Sequence, residues 1–254
     1  MKLARYLHDG HIRYGVLEGD ILHEIYRTPF TGIQRQGRTC RLGGVELLPP
    51  VFPQKIIAVG LNYRDHAEEF GLDLPQEPVL FMKPPSSLLA HGGEIVYPRD
   101  SRRVDYEAEL VLVCGSECRG LRPQEASSHI LGYTCGNDVT ARDLQAKDGQ
   151  WTRAKGFDTF CPLGPFIETD LDPADLAVEL RLNGETRQSS STSKMIFSPA
   201  ELLSFTSRIM TLYPGDVIMT GTPSGVGEMV PGDVVEVAVE GIGTLRNRVV
   251  AAPG

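Results

Sequence analysis

The sequence predicts a mixed α/β, β-rich fold, on two observations. It carries 27 glycines and 18 prolines among 254 residues, which divide the chain into short apolar runs of strand length. The dipeptides Asp9-Gly10 and Asn183-Gly184 lie between such runs, and both favour tight hairpins. The length allows a sizeable core, as one large domain or as a small domain beside a larger one. Apolar residues at 41% and charged residues at 23% are usual for a soluble globular protein. A net charge of −8 disfavours a nucleic-acid partner, and Arg102-Arg103 is too short a basic run for a phosphate-binding patch. The five cysteines form no CxxC pair and read as reduced, small apolar residues. No apolar stretch approaches membrane length, and none follows Lys2 and Arg5 as in a secretory signal. A cytoplasmic protein without a membrane partner is expected.

Residues 1–52 are expected to form a small β-rich N-terminal domain, and residues 53–254 the larger domain. Within the first, segments 3–7, 12–17 and 20–25 read as strands, and Pro49-Pro50 with Pro53 as a linker. No catalytic set is visible there. Residues 55–60 read as a buried strand ending at Gly60. A short helix follows, with Asn62 as its cap and Gly71 as its stop. On that helix His66 and Glu69 are three apart and share a face. A carboxylate beside an imidazole fixes its tautomer and raises its basicity, as a general base requires; the pair also fits an ordinary surface contact. With the connection 72–78 this helix could act as a lid. Residues 79–83 and 95–98 are further strands.

The stretch Val104-Asp105-Tyr106-Glu107-Ala108-Glu109-Leu110-Val111-Leu112-Val113 is central. Its second half reads as a strand, so Glu107 and Glu109 point the same way, with Cα atoms roughly 6.7 Å apart. Val111 and Val113 continue that face as apolar residues. Two carboxylates at the mouth of a buried surface repel each other, and burial penalises their ionisation. A divalent cation relieves both, and hard oxygen ligands suit Mg²⁺, Mn²⁺ or Ca²⁺ better than zinc. An acidic stripe on a solvated edge strand is the competing reading.

Residues 123–129 read as a helix with proline near its start, and 130–135 as a strand. Asp138 then falls where a strand ends and a helix begins, with Arg142 and Gln145 following at offsets of four and three. An acid, a guanidinium and an amide on one face could hold a cation, a carboxylate and a carbonyl oxygen; a helix cap with a surface cation fits as well. Residues 151–165 contain the single tryptophan and lack periodicity, which predicts a loop lining a site, with Lys155 as a candidate for polarising a carbonyl. Residues 176–188 form a hairpin about Asn183-Gly184. Ser198-Pro199-Ala200-Glu201 opens a scaffold helix through a capping box. Pro214-Gly215-Asp216 and Pro231-Gly232-Asp233 are matching turns into strands. Between them, residues 220–227 lack the lysine and spacing of a nucleotide-binding loop. Their backbone N–H groups and the Thr222 hydroxyl could meet an anionic ligand, or form a plain turn.

Five segments in this order resemble the fumarylacetoacetate hydrolase superfamily: Gly60-Leu61-Asn62-Tyr63 with Asp65-His66; Asp105-Tyr106-Glu107-Ala108-Glu109-Leu110; Gly136-Asn137-Asp138-Val139-Thr140-Ala141-Arg142-Asp143; Ala154-Lys155-Gly156-Phe157-Asp158; and Gly221-Thr222-Pro223-Ser224-Gly225-Val226-Gly227. Each is weak alone, but five in order are specific. The resemblance implies a β-sandwich or β-roll core and an Mg²⁺ or Mn²⁺ ion, with Ca²⁺ also admitted, held by Glu107, Glu109 and Asp138. It implies that His66 and Glu69 form a water-activating dyad on a lid. Arg142, Gln145, Lys155 and Thr222 would contact a 2-oxo acid or its developing oxyanion. Asp105 shares the acidic face but matches no ligand position of the family.

The activity implied is metal-dependent enolate chemistry on 2-oxo or enol dicarboxylates, of the 2-hydroxyhepta-2,4-diene-1,7-dioate or 5-carboxymethyl-2-hydroxymuconate isomerase type found in aromatic catabolism. Acylpyruvate C–C hydrolysis and oxaloacetate decarboxylation are the alternatives; a non-catalytic protein that binds metal and oxo acid is the alternative of another class. A homodimer is expected, with the Asn183-Gly184 hairpin as a candidate contact.

Overall fold

A computed structural model describes residues 1–253; Gly254, the last residue of the expected larger domain, lies outside the described residues. The β-rich mixed fold is the one observed. A twelve-stranded sheet runs, from one edge, through Arg35–Arg41, Ile21–Ile25, His11–Glu18, Lys2–His8, Cys161–Glu168, Ile130–Asn137, Ala108–Cys114, Val217–Met219, Ile56–Val59 and Leu80–Lys83, with two short strands attached off this path. A five-stranded sheet orders Glu185–Ser191, Ala177–Leu182, Val234–Val239, Gly243–Ala251 and Glu94–Tyr97. A third, of three strands, joins Thr140–Ala141, Val104–Tyr106 and Gly227–Met229.

The Ala108–Cys114 strand is buried along its whole length, as expected of a strand covered on both faces. Leu110 and Leu112 pack with Val178, Leu180, Val235 and Val237 of the five-stranded sheet. Val111 and Val113 face the opposite way, into a cluster with Ile56, Ala58, Leu163 and Met219. Lys2 and Leu3 pair with Glu168 and Ile167, so the N-terminal strands extend the large sheet directly. The hairpin turns form where the dipeptides predict them, with positive φ at Asp9 and Gly10 (51° and 74°) and at Asn183 and Gly184 (54° and 82°). The capping box opens the Pro199–Ile209 helix as expected.

Four expectations need correction. The acidic stretch is two strands in two different sheets, broken at Glu107. Residues 151–165 are not all loop: Thr152–Lys155 is one helical turn, and Cys161 begins an eight-residue strand. Pro162, Gly164 and Pro165 read as breakers, but pairing with Ile130–Asn137 on one side and Lys2–His8 on the other overrides that local preference. Asp138 caps no helix, because Thr140–Ala141 intervenes and the Arg142–Asp148 helix starts after Ala141. Asn62 does not cap the Arg64–Phe70 helix, whose N-cap is Tyr63.

Asn62 serves instead as a buried clamp between two distant loops. Its Nδ2 donates to the Phe197 and Thr220 carbonyls at 2.9 and 2.7 Å, and its Oδ1 accepts from the Phe197 N–H at 2.8 Å. Asn62→Ala therefore strands one buried and two part-buried backbone groups, at roughly 1 kcal/mol each. The expected result is a loss of about 3 kcal/mol in denaturant unfolding; a loss below about 1 kcal/mol would show that the clamp carries little of the fold's stability.

Candidate metal centre and active-site cavity

The break at Glu107 brings the three predicted acids together. Asn137 Oδ1 accepts from the Glu107 N–H, and the Asp138 N–H donates to the Glu107 carbonyl, each at 2.9 Å. This zips the end of one strand to the break in its neighbour. Glu109 sits opposite Gly136 in the ladder, and one of its oxygens accepts from the Gly221 N–H at 2.8 Å. Gly221 has a φ of 95°, and a Cβ there would lie 2.8 Å from that of Asn62, so glycine is needed for this approach. Carboxylate oxygens of Glu107, Glu109 and Asp138 all lie within 4.8 Å of one another.

Three acids this close and this buried need positive charge. Burial pushes Glu109 well above the usual carboxylate range, with the charges of Asp138 and Glu107 adding to the effect. Its Oε1 is buried without a hydrogen-bond partner. Burial alone would also raise Glu107, but the Lys155 and Arg142 cations outweigh it and hold Glu107 at about 2. Lys155 Nζ donates to Glu107 at 2.9 Å and Asp138 at 2.6 Å. Arg142 donates to Asp105 at 2.9 Å, to Gln145 at 2.6 Å and also to Glu107. An unpartnered buried oxygen within a set of hard donors fits a divalent ion, and the triad can hold one.

Above the triad lies a cavity of about 700 Å³. Glu107, Arg142, Gln145, Lys155 and His66 line it together with apolar residues. His66 Nδ1 is 3.4 Å from Glu69 Oε2, and both Glu69 oxygens accept from the Gly225 N–H at 3.2 Å. The short helix is thereby tied to the glycine-rich loop, with its imidazole toward the cavity. Among the described residues no helix is long and apolar enough to cross a membrane.

Residues 55–250 match the fumarylacetoacetate (FAA) hydrolase C-terminal family, and residues 1–50 the Rv2993c-like N-terminal family. The chain belongs to the fumarylacetoacetate hydrolase family. Members of this superfamily are isomerases or hydrolases, and the chain is an enzyme rather than a protein that only binds. It is similar to the crystal structure of 5-carboxymethyl-2-hydroxymuconate delta-isomerase from Mycobacterium smegmatis, with 46% identity, a TM-score of 0.95, and coverage of 99% of this chain and 100% of that one. Maleylpyruvate hydrolase from Sphingobium, solved in complex with manganese(II) ion and pyruvate, is 30% identical with a TM-score of 0.83 and full coverage of both chains (100% each). The rat mitochondrial oxaloacetate tautomerase Fahd2a is 40% identical over 215 residues, 80% of this chain and 69% of that one.

Within this fumarylacetoacetate hydrolase fold, the structure gathers His66, Glu107, Glu109, Asp138, Arg142, Gln145 and Lys155 about one cavity and its floor. Thr222 is buried, and its hydroxyl accepts from Gln188 Nε2 at 2.9 Å; neither Thr222 nor Glu69 is among the residues lining the cavity. The supporting roles of three further residues were not visible in the sequence. Lys83 is 1% exposed and donates to Asp138 at 2.6 Å and to the Val139 carbonyl at 3.2 Å. Asp105 is fully buried between Arg103 and Arg142. Gln188 spans from the Ala108 N–H to the loop at Thr222 and Pro223. The signals available were faint: a lysine closing the apolar run Leu80–Lys83, and Asp105 beside the acidic pair.

Proposed function

We propose that this enzyme acts on 2-oxo acids and their 2-hydroxy-2-ene tautomers by proton transfer beside the carbonyl, shifting a double bond as an isomerase does. The observation that carries this reading is the convergence of three buried carboxylates, one oxygen unpartnered, beneath a cavity whose other polar groups are Arg142, Gln145, Lys155 and His66. A divalent ion held by Glu107, Glu109 and Asp138 would supply Lewis-acid polarisation of the 2-oxo group. Arg142 uses three of its five N–H donors on protein acceptors, which leaves two for a substrate carboxylate. Lys155 uses two of three, and its remaining donor and charge stabilise negative charge developing at the oxo oxygen. His66, oriented by Glu69, moves the proton at the neighbouring carbon.

The names carried by the Mycobacterium and rat relatives, an isomerase and a tautomerase, support this reading. C–C hydrolysis of acylpyruvates is the second reading, favoured by an imidazole–carboxylate pair placed to activate water above the same cavity. We include a homodimer in the proposal.

A spectrophotometric panel of hydroxydienedioates, acylpyruvates and oxaloacetate separates these outcomes. Turnover is expected with Mg²⁺ or Mn²⁺ and is expected to vanish with a chelator, returning on metal addition. Equal turnover before and after complete metal removal, or none on any member with metal present, would end the proposal.

A further inference from the structure

The cavity has two unlike halves. Glu107, Arg142, Gln145 and Lys155 are joined by hydrogen bonds into one polar cluster. Gly60, Leu61, Leu72, Val79, Ala146 and Trp151 make up the rest of the lining except for His66. The apolar half is built around Trp151. Its ring meets Phe81 edge-on at 5.1 Å and 77°. A Cβ on Gly60 would lie 2.9 Å from that indole, so only glycine lets the ring lie where it does. The Gly60 N–H donates to the Val79 carbonyl at 2.9 Å, which sets the valine beside the ring. The Lys155 N–H donates to the Trp151 carbonyl at 2.9 Å, so platform and ammonium come from the same helical turn. Leu72 and Val79 are 55% and 48% exposed, an unusual cost for large aliphatic side chains in one place.

Among the described residues lining the cavity the permanently charged bases are Arg142 and Lys155, and both belong to the polar cluster. A second carboxylate on the substrate's tail would meet an indole and two aliphatic side chains.

We infer that the enzyme selects its 2-oxo acid by an apolar tail laid on Trp151, Val79 and Leu72, and that the preferred substrates are 2-oxo monocarboxylates rather than dicarboxylates. This rests on the 2-oxo-acid reading above and narrows it. Burial of each methylene is worth about 0.8 kcal/mol, or roughly a fourfold gain in affinity.

The test is direct binding to the Mn²⁺-loaded enzyme, by calorimetry and by the fluorescence of its single tryptophan. The probes are pyruvate, 2-oxobutanoate, 2-oxohexanoate, 2-oxooctanoate and 2-oxoadipate. Affinity is expected to climb about threefold to fourfold per methylene along the monocarboxylates, with a tryptophan emission shift for the long ones. 2-Oxoadipate is expected to bind at least about tenfold more weakly than 2-oxohexanoate. Trp151→Ala and Leu72→Ser should each flatten the climb; Leu72 is exposed enough that its replacement leaves folding intact. Binding of all five probes with no dependence on tail length, or tighter binding of 2-oxoadipate, overturns the tail inference while the 2-oxo-acid reading stands. Failure of every probe, pyruvate included, overturns both.

Discussion

Glu109→Gln is expected to abolish divalent-ion binding and lower kcat/KM by about 10³-fold or more, while raising the melting temperature of the metal-free protein. The loss follows from removing one of three anionic ligands beneath the cavity, where the ion's charge stabilisation is worth several kcal/mol. The gain follows from the unpartnered Oε1 and from the burial that raises Glu109 far above its ordinary 4.5. A carboxyl raised by folding favours the native state most when protonated. Its contribution is complete below about pH 4.5 and is lost as the pH rises through the folded value. At neutral pH the metal-free protein therefore carries a penalty that a neutral amide removes. The carbonyl of the introduced amide could still accept from Gly221, and its NH₂ could donate toward Glu107 or Asp138. A gain of about 1–3 kcal/mol is expected, read as several degrees in calorimetry of chelated samples. An unchanged or lower melting temperature without metal would refute the electrostatic account, and retained ion binding would refute the ligand assignment.

His66→Ala is expected to lower kcat by about 10²–10⁴-fold, with divalent-ion affinity intact and KM changed little. His66 lines the cavity and meets Glu69, but it belongs to the Arg64–Phe70 helix rather than to the strands that carry the triad. Its loss should remove proton transfer without disturbing the acids. Glu69→Gln should give a smaller loss in kcat, because its carboxylate orients the ring and also holds Gly225. Unchanged turnover in His66→Ala would take the pair out of the mechanism.

Much of the site was legible in the sequence because its residues lie in short, fixed local patterns. Glu107 and Glu109 are two apart, His66 and Glu69 three apart on a helix, and Arg142 and Gln145 three apart on another. The hairpin turns were legible for a similar reason, since Asp9-Gly10 and Asn183-Gly184 meet the positive-φ requirement by themselves. The Cys161–Glu168 strand was not, because its prolines and glycine speak against a strand and only partners from residues 2–3, 88–89 and 133–136 make it one. Lys83 was hidden because an ammonium at the end of an apolar run reads as exposed until a carboxylate 55 residues away receives it. Asp105 was legible as an acid but not as the clamp on Arg142, a contact between two sheet-and-helix neighbours 37 residues apart.

By itself the sequence determined the β-rich class, the turns, the capped helix and the identity of the acids, because each depends on chain geometry within a few residues. Only the tertiary structure decided that the acidic stretch breaks at Glu107, that Asn137 and Asp138 close on that break, and that Lys83, Lys155 and Arg142 surround the three carboxylates. It also decided that Trp151 faces the cavity across Gly60. The physical reason is the same in each case: burial and charge compensation are properties of groups brought together from distant parts of the chain, and no local pattern specifies them.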